Sequence, residues 1–261
     1  MEQLRKRYSD LYVILAPPRS ASTAFARAFW EQDSVAYYCH EPFEVKYFDD
    51  APLADVVAKL ETPLDLRGLS ARPTHPNANA LVVKEMPYQV GDSFPILAGL
   101  ATRGVVFLLR DPRQNIASRM EMKEAVGDSP FFPLVESGWE LLAAQLELCA
   151  ALNVPSMIVD TNEFRNHPDS IMAQVFERIG LPFDPSMLSW NALPHVDLDN
   201  LGGRHSHLYR RVLNSKGIEP AVEPTYPIDW FPVEGGVRAH VLRCLEIYRD
   251  LHASDARIKP E

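Results

Sequence analysis

Leu11-Tyr-Val-Ile-Leu-Ala16 is an unbroken apolar run of strand-forming residues, and such a run bounded by turn residues predicts a strand buried on both faces. Pro17-Pro18-Arg19-Ser20 supplies the turn, and Ser22 to Glu31 is compatible with a helix. The alternation then repeats. Strands are predicted at Val35 to Tyr38, Ala80 to Lys84 and Gly104 to Leu109, with helices at Leu53 to Leu60, Ser93 to Ala101 and Pro112 to Met120. Trp139, Leu142, Leu146 and Cys149 recur at helical spacing, which predicts a long helix over 137–152 with its stripe in the core, ahead of a strand at Ser156 to Val159. A helix over Ser170 to Ile179 is stopped by Gly180 and Pro182. Residues 181–235 are rich in Pro, Gly and His and weakly periodic, which suggests a lid or irregular cap, and Val237 to Leu251 predicts a last helix. Strands alternating with helices predict an α/β three-layer sandwich around a parallel sheet of about five strands.

With 261 residues, 46% of them hydrophobic and 23% charged, the chain is expected to form a single domain over 1–261, with 181–235 as its cap. The charged start lacks a signal-peptide core and no stretch reaches the roughly 20 apolar residues of a membrane span, so a cytoplasmic protein without a span is expected. Cys39, Cys149 and Cys244 are too scattered for a disulfide framework or zinc site and are expected to be reduced, half-buried packing residues. His195, His205 and His207, with Asp197 and Asp199 nearby, match no standard zinc spacing, and no metal is expected. A formal charge of −9 argues against nucleic acid as a partner, while leaving room for a locally positive pocket around a small anion. Nothing in the sequence sets the oligomeric state.

Arg19, Ser20, Ala21, Ser22 and Thr23 lie where the loop after a first strand meets a helix start, a place that holds phosphate through backbone N–H groups and the positive helix end. The hydroxyls can donate to phosphate oxygens and Arg19 adds a two-pronged cation. No Gly-Lys-Ser/Thr closes the loop, which removes the Walker pattern of nucleotide triphosphatases. A second strand, Val105 to Leu109, delivers Arg110 at its end, and Ser118 follows eight residues later on a Pro-started helix. That spacing lets a strand-end guanidinium and a helix hydroxyl converge on one phosphate.

Together these elements resemble the sulfotransferases that use 3′-phosphoadenosine-5′-phosphosulfate (PAPS). Pro18 to Thr23 is similar to their 5′-phosphosulfate loop, and Arg110-Asp-Pro-Arg113 with Ser118 to their 3′-phosphate motif. Asp160 to Pro168 and Gly180-Leu-Pro-Phe-Asp184 follow the family's later course, and Tyr209 to Gly217 is similar to the segment that folds over the nucleotide, so the resemblance runs from about Tyr12 to Gly217. It implies a P-loop-like sulfotransferase fold, PAPS as donor, the 3′,5′-bisphosphate (PAP) as product, a small-molecule hydroxyl acceptor and no need for a metal. It also implies that Ser215, Lys216 and Gly217 approach the nucleotide, with Arg204, Arg210 and Arg211 as further candidates. Arg19 stands where many members carry lysine, which is similar to the bacterial and carbohydrate-type branch; Ala21 replaces a common glycine, and Thr161 a common tyrosine.

Sulfuryl transfer, by analogy with phosphoryl transfer, asks for positioning, charge stabilisation on the leaving oxygen and a base for the acceptor. Arg19 is the candidate for the leaving oxygen. Lys84 ends a strand on the same sheet edge, within reach of the transferring group. Glu41, in a His40-Glu41-Pro42-Phe43 stretch similar to the Glu-Pro-Phe of carbohydrate-type members, is the first candidate base, provided that burial raises its pKa, with Glu85 and His40 as competitors. Two other readings remain open: a P-loop-type kinase or nucleotidase, and a nucleotide-binding regulatory relative without turnover.

Overall fold

The computed structural model describes residues 2–261. It opens with α1 (Glu2–Arg7), β1 (Leu11–Leu15), α2 (Ser22–Trp30), β2 (Val35–His40), α3 (Glu44–Asp49), α4 (Leu53–Glu61), β3 (Leu64–Asp65) and β4 (Ala80–Glu85). The middle holds α5 (Pro87–Val90), α6 (Phe94–Leu100), β5 (Val105–Leu109), α7 (Pro112–Ala125) and α8 (Trp139–Ala151). β6 (Ser156–Asp160), α9 (Thr161–Asn166), α10 (Pro168–Ile179), α11 (Arg210–Asn214) and α12 (Val237–Ala253) complete the described chain.

The strands form one sheet in the order β3-β2-β4-β1-β5-β6. Five are parallel, as the alternation predicts, and the sixth is the two-residue β3, which pairs antiparallel with β2 at the edge. A strand of two residues carries no period to read, which is why it escapes a sequence pattern.

β1 is buried at every position because both faces are covered. Val13 and Leu15 point into a core formed with α4, α6, α7, α8 and α12, whereas Tyr12 and Ile14 point into a second core formed with α2, α9 and α10. This is the three-layer sandwich. In α8 Trp139, Leu142 and Cys149 are buried while Leu146 is only partly so; all three cysteines are fully buried and free. Burial raises the Cys149 thiol to about 11 and the Cys244 thiol to about 12, so neither is poised for thiolate chemistry.

Residues 181–235 form short helical turns that pack on both cores. Leu188, Leu193, Tyr209 and Leu213 join the α2 side, and Phe231 joins the α12 side. Gly217 is required where this segment crosses itself: a Cβ there would sit 2.8 Å from the Leu188 carbonyl oxygen. No described helix is long and apolar enough to cross a membrane.

Candidate active site

β1 lies between β4 and β5, so the chain leaves its carboxyl end at the point where the sheet order reverses, the usual place for a ligand crevice. A cavity of about 550 Å³ opens there. Arg19, Ser20, Ala21, Ser22 and Thr23 line one side of it, joined by Arg110 from the end of β5 and by Ser215 and Gly217 from the late segment.

The loop is built from unusual backbone. Among the described residues five non-glycine residues have positive φ, and three of them line the cavity: Arg19 at 62°, Ala21 at 52° and Glu41 at 44°. Ala21 therefore adopts the left-handed conformation that glycine would take more readily, directly at the start of α2. The alanine keeps the loop's shape at a cost of about 1 kcal/mol. Ala21→Gly is expected to raise Tm by about 2 °C, because relief of that strain exceeds the added entropy of the unfolded chain; a calorimetric scan showing a lower Tm would contradict it.

The groups proposed for the anion are held together. Arg110 Nη1 donates to the Arg19 carbonyl oxygen at 2.7 Å, and Arg19 Nε donates to Ser118 Oγ at 3.3 Å. Ser118 thus supports Arg19 from behind and does not itself line the cavity. Ser20 Oγ is buried and without a partner, the state expected of a hydroxyl whose acceptor is a ligand. Burial lowers the Arg19 and Arg110 pKa values from the usual arginine range, although a guanidinium stays charged at neutral pH.

At the other side Lys84 and His40 are register partners on β4 and β2, and Glu41 follows His40 directly. The Glu41 carboxylate accepts from Lys84 Nζ through Oε1 and from Gln89 Nε2 through Oε2, the latter at 3.0 Å. His40 Nε2 lies 3.2 Å from the same Oε1, and its Nδ1 lies 2.6 Å from the Tyr38 hydroxyl. Burial by itself would raise the Glu41 carboxyl, but Lys84 and His40 outweigh it and hold the group well below the usual carboxylate range. This reverses the expectation that burial would raise it.

Glu85 behaves in the opposite way. Alternation along β4 turns it away from Lys84, and its oxygens accept from the backbone N–H groups of Phe43 at 2.8 Å and Met86 at 2.7 Å. Burial and the nearby Glu41 charge push its pKa well above the ordinary value. Glu41 and Lys84 line the cavity, whereas Glu85 and His40 stand behind it.

Several lining residues have no local signature in the sequence. Arg165 and Glu223 join the Arg110 side, and Glu44 pairs with His205 Nδ1 at 2.6 Å near Glu41, which raises the histidine's pKa. Arg119 binds Glu136 and lies over the Phe132 ring at 4.3 Å. Tyr209 alone among the cap's large aromatics lines the cavity; Tyr226 and Trp230 stack on each other, and Trp190 and Phe231 are buried in packing. Of the late basic residues, Arg204 pairs with Asp49 at 2.6 Å, Arg211 pairs with Glu219 at 2.6 Å, and Arg210 and Lys216 are exposed and outside the lining. Glu44, Asp199 and His205 bring donor atoms within 4.8 Å of one another, but Asp199 already accepts from the backbone of Leu201, Gly203 and His205. That arrangement is a hydrogen-bonded corner of the cap.

A mostly parallel sheet in this order, with a hydroxyl-rich loop leading from its first strand into a helix, defines a P-loop-like α/β protein. A family model described as a sulfotransferase domain matches residues 12–230, and the chain belongs to that family. Among curated proteins none matches. Solved structures share the fold. The sulfotransferase domain from the curacin biosynthetic pathway is 16% identical, with 95% of this chain and 99% of that one covered at a TM-score of 0.53. The sulfotransferase domain of the Synechococcus PCC 7002 olefin synthase is 14% identical, covering 93% and 95% at 0.54. Mouse sulfotransferase SULT7A1, complexed with PAP, is 12% identical, covering 96% and 92% at 0.53.

Proposed function

We propose that this protein transfers the sulfuryl group of PAPS to a hydroxyl of a small metabolite or carbohydrate by in-line displacement. The observation that carries the reading is one cavity with the hydroxyl-rich loop Arg19 to Thr23 on one side and the Glu41–Lys84 pair on the other. The PAP held by the mouse neighbour supports the choice of donor. PAPS supplies a sulfuryl group already joined to a phosphate that leaves readily. Arg19, Ser20 and the first turn of α2 hold the negative charge that collects on the departing oxygen. Glu41 accepts the proton of the acceptor hydroxyl.

The Glu41 carboxylate starts too tightly paired to be a strong base. Lys84 faces the same cavity, so turning its ammonium toward the transferring group would loosen its hold on Glu41 and make the carboxylate more basic. Stabilising the sulfuryl oxygens and freeing the base become one movement. Beyond Glu41 the lining mixes carboxylates with Phe48, Met86, Phe131 and Phe132, a surface that grips both hydroxyls and apolar faces of a small molecule. A kinase or nucleotidase reading lacks the loop lysine it needs.

The test is Arg110→Ala. Its affinity for the 3′,5′-bisphosphate is expected to fall about tenfold or more, with adenosine 5′-phosphate little changed, as loss of a charged hydrogen-bond donor predicts. Titration calorimetry showing equal bisphosphate affinity in both proteins refutes the assignment, and failure of the wild type to consume PAPS across a broad acceptor panel refutes the activity.

A further inference from the structure

Two guanidinium groups on the nucleotide side share one carboxylate oxygen. Arg110 Nη2 lies 3.5 Å and Arg165 Nη1 2.7 Å from Glu223 Oε2. Each arginine side chain is 7% exposed, whereas that of Glu223 is 30% exposed, so the cations are fixed inside and the carboxylate keeps a way out. Arg19 stands beside them in the chain fold, its carbonyl oxygen bound to Arg110. Two guanidinium groups on one carboxylate oxygen leave a net positive charge at that point where water is scarce. Such a surplus favours an anion with more than one charge, and a phosphate monoester dianion can accept from two guanidinium groups together.

The backbone carrying Glu223 is pinned. Gln114 Nε2 donates to the Glu223 carbonyl oxygen and to Thr225 Oγ1, each at 3.1 Å. Arg165 donates to the carbonyl oxygens of Glu219 at 2.8 Å and Pro220 at 2.6 Å, and Ala221 N donates to Asn166 Oδ1 at 3.1 Å. These bonds hold the segment without any part played by the Glu223 side chain.

We propose that Arg165 joins Arg110 in holding the 3′-phosphate of the donor nucleotide, and that Glu223 is a built-in counter-ion which occupies that place until the phosphate displaces it. This rests on the PAPS reading given above. In the empty protein the carboxylate keeps the two guanidinium groups converged and hinders weaker anions. A nucleotide without the 3′-phosphate has nothing to put there and leaves Glu223 where it is. Discrimination between the two nucleotides therefore belongs to Arg165 and Glu223 as well as to Arg110.

The experiment is calorimetric titration of the full chain, wild type and Glu223→Gln, with adenosine 3′,5′-bisphosphate and with adenosine 5′-phosphate. Glutamine keeps the shape and the pinned backbone but removes the charge. Bisphosphate affinity is expected to rise about tenfold, as removal of a competing occupied state predicts, with the 5′-phosphate unchanged. In Arg165→Gln the bisphosphate is expected to weaken about tenfold and the 5′-phosphate again to stay the same. An unmoved bisphosphate affinity in Glu223→Gln, or an equal gain for both nucleotides, overturns the counter-ion while leaving the donor reading intact. Equal losses for both nucleotides in Arg165→Gln mark a defect of the pinned segment and overturn the arginine's part. A wild type that shows no preference for the bisphosphate removes the donor reading and this inference with it.

Discussion

Arg19→Ala is expected to lower kcat by about 10²–10³-fold, the range found when one preorganised donor to a developing oxyanion is removed. Arg19 is positioned by more than its own side chain. Its φ of 62° turns the residue at the start of the loop, its carbonyl oxygen is fixed by Arg110, and its Nε is steadied by Ser118. Alanine at this position keeps the carbonyl contact and is no more strained than arginine, so the loop's shape is retained while the guanidinium is lost. Nucleotide affinity should fall much less than kcat, because Arg110 and the helix start remain. Arg19→Lys should recover part of the rate, with the charge restored and the planar fork still absent. Single-turnover kinetics separate the two effects; a kcat within about tenfold of wild type would remove Arg19 from the chemical step.

Glu41→Gln is expected to cost about 10²–10³ in kcat, within the range of general-base removal, with nucleotide affinity retained. The same substitution leaves Lys84 buried without its counter-charge, which is expected to destabilise the fold by about 3–5 kcal/mol. Stability and chemistry must therefore be separated. The double variant Glu41→Gln/Lys84→Met removes both charges and should regain most of the lost stability, read as the urea midpoint, while its turnover stays well below that of Lys84→Met alone. Recovery of turnover along with stability would show that Glu41 acts only as a structural partner of Lys84. Unchanged turnover in the single variant would move the proton to another acceptor. Glu85 and His40 are poorly placed for it: both stand behind the cavity wall, the Glu85 oxygens are taken up by the backbone N–H groups of Phe43 and Met86, and burial lowers the pKa of His40.

The parts legible from sequence are those whose physics is local. An apolar run flanked by Pro-Pro announces β1, and the hydroxyl-rich turn behind it places the anion loop. The same strand-then-helix pattern places Arg110 at the end of β5. Neighbours along the chain suffice for these. The short elements β3, α3 and α9 are held by what they pack against and not by their own period, so they lie below what a pattern can register.

Charge state was the first thing that only tertiary structure decided. Burial alone pushes the carboxyl of Glu41 up, which is the effect the candidate base was expected to need. The cation that does most to reverse the shift, Lys84, comes from the register between β2 and β4, which sets it against the end of a strand more than forty residues away in the chain. Register also separated Lys84 from Glu85, one turned into the cavity and one away from it. The convergence of Arg110, Arg165 and Glu223 was the second, assembled from three segments with no shared motif. The sequence by itself determined which strand ends carry charge; packing determined which of those charges meet, because meeting depends on register and on burial from both faces of the sheet.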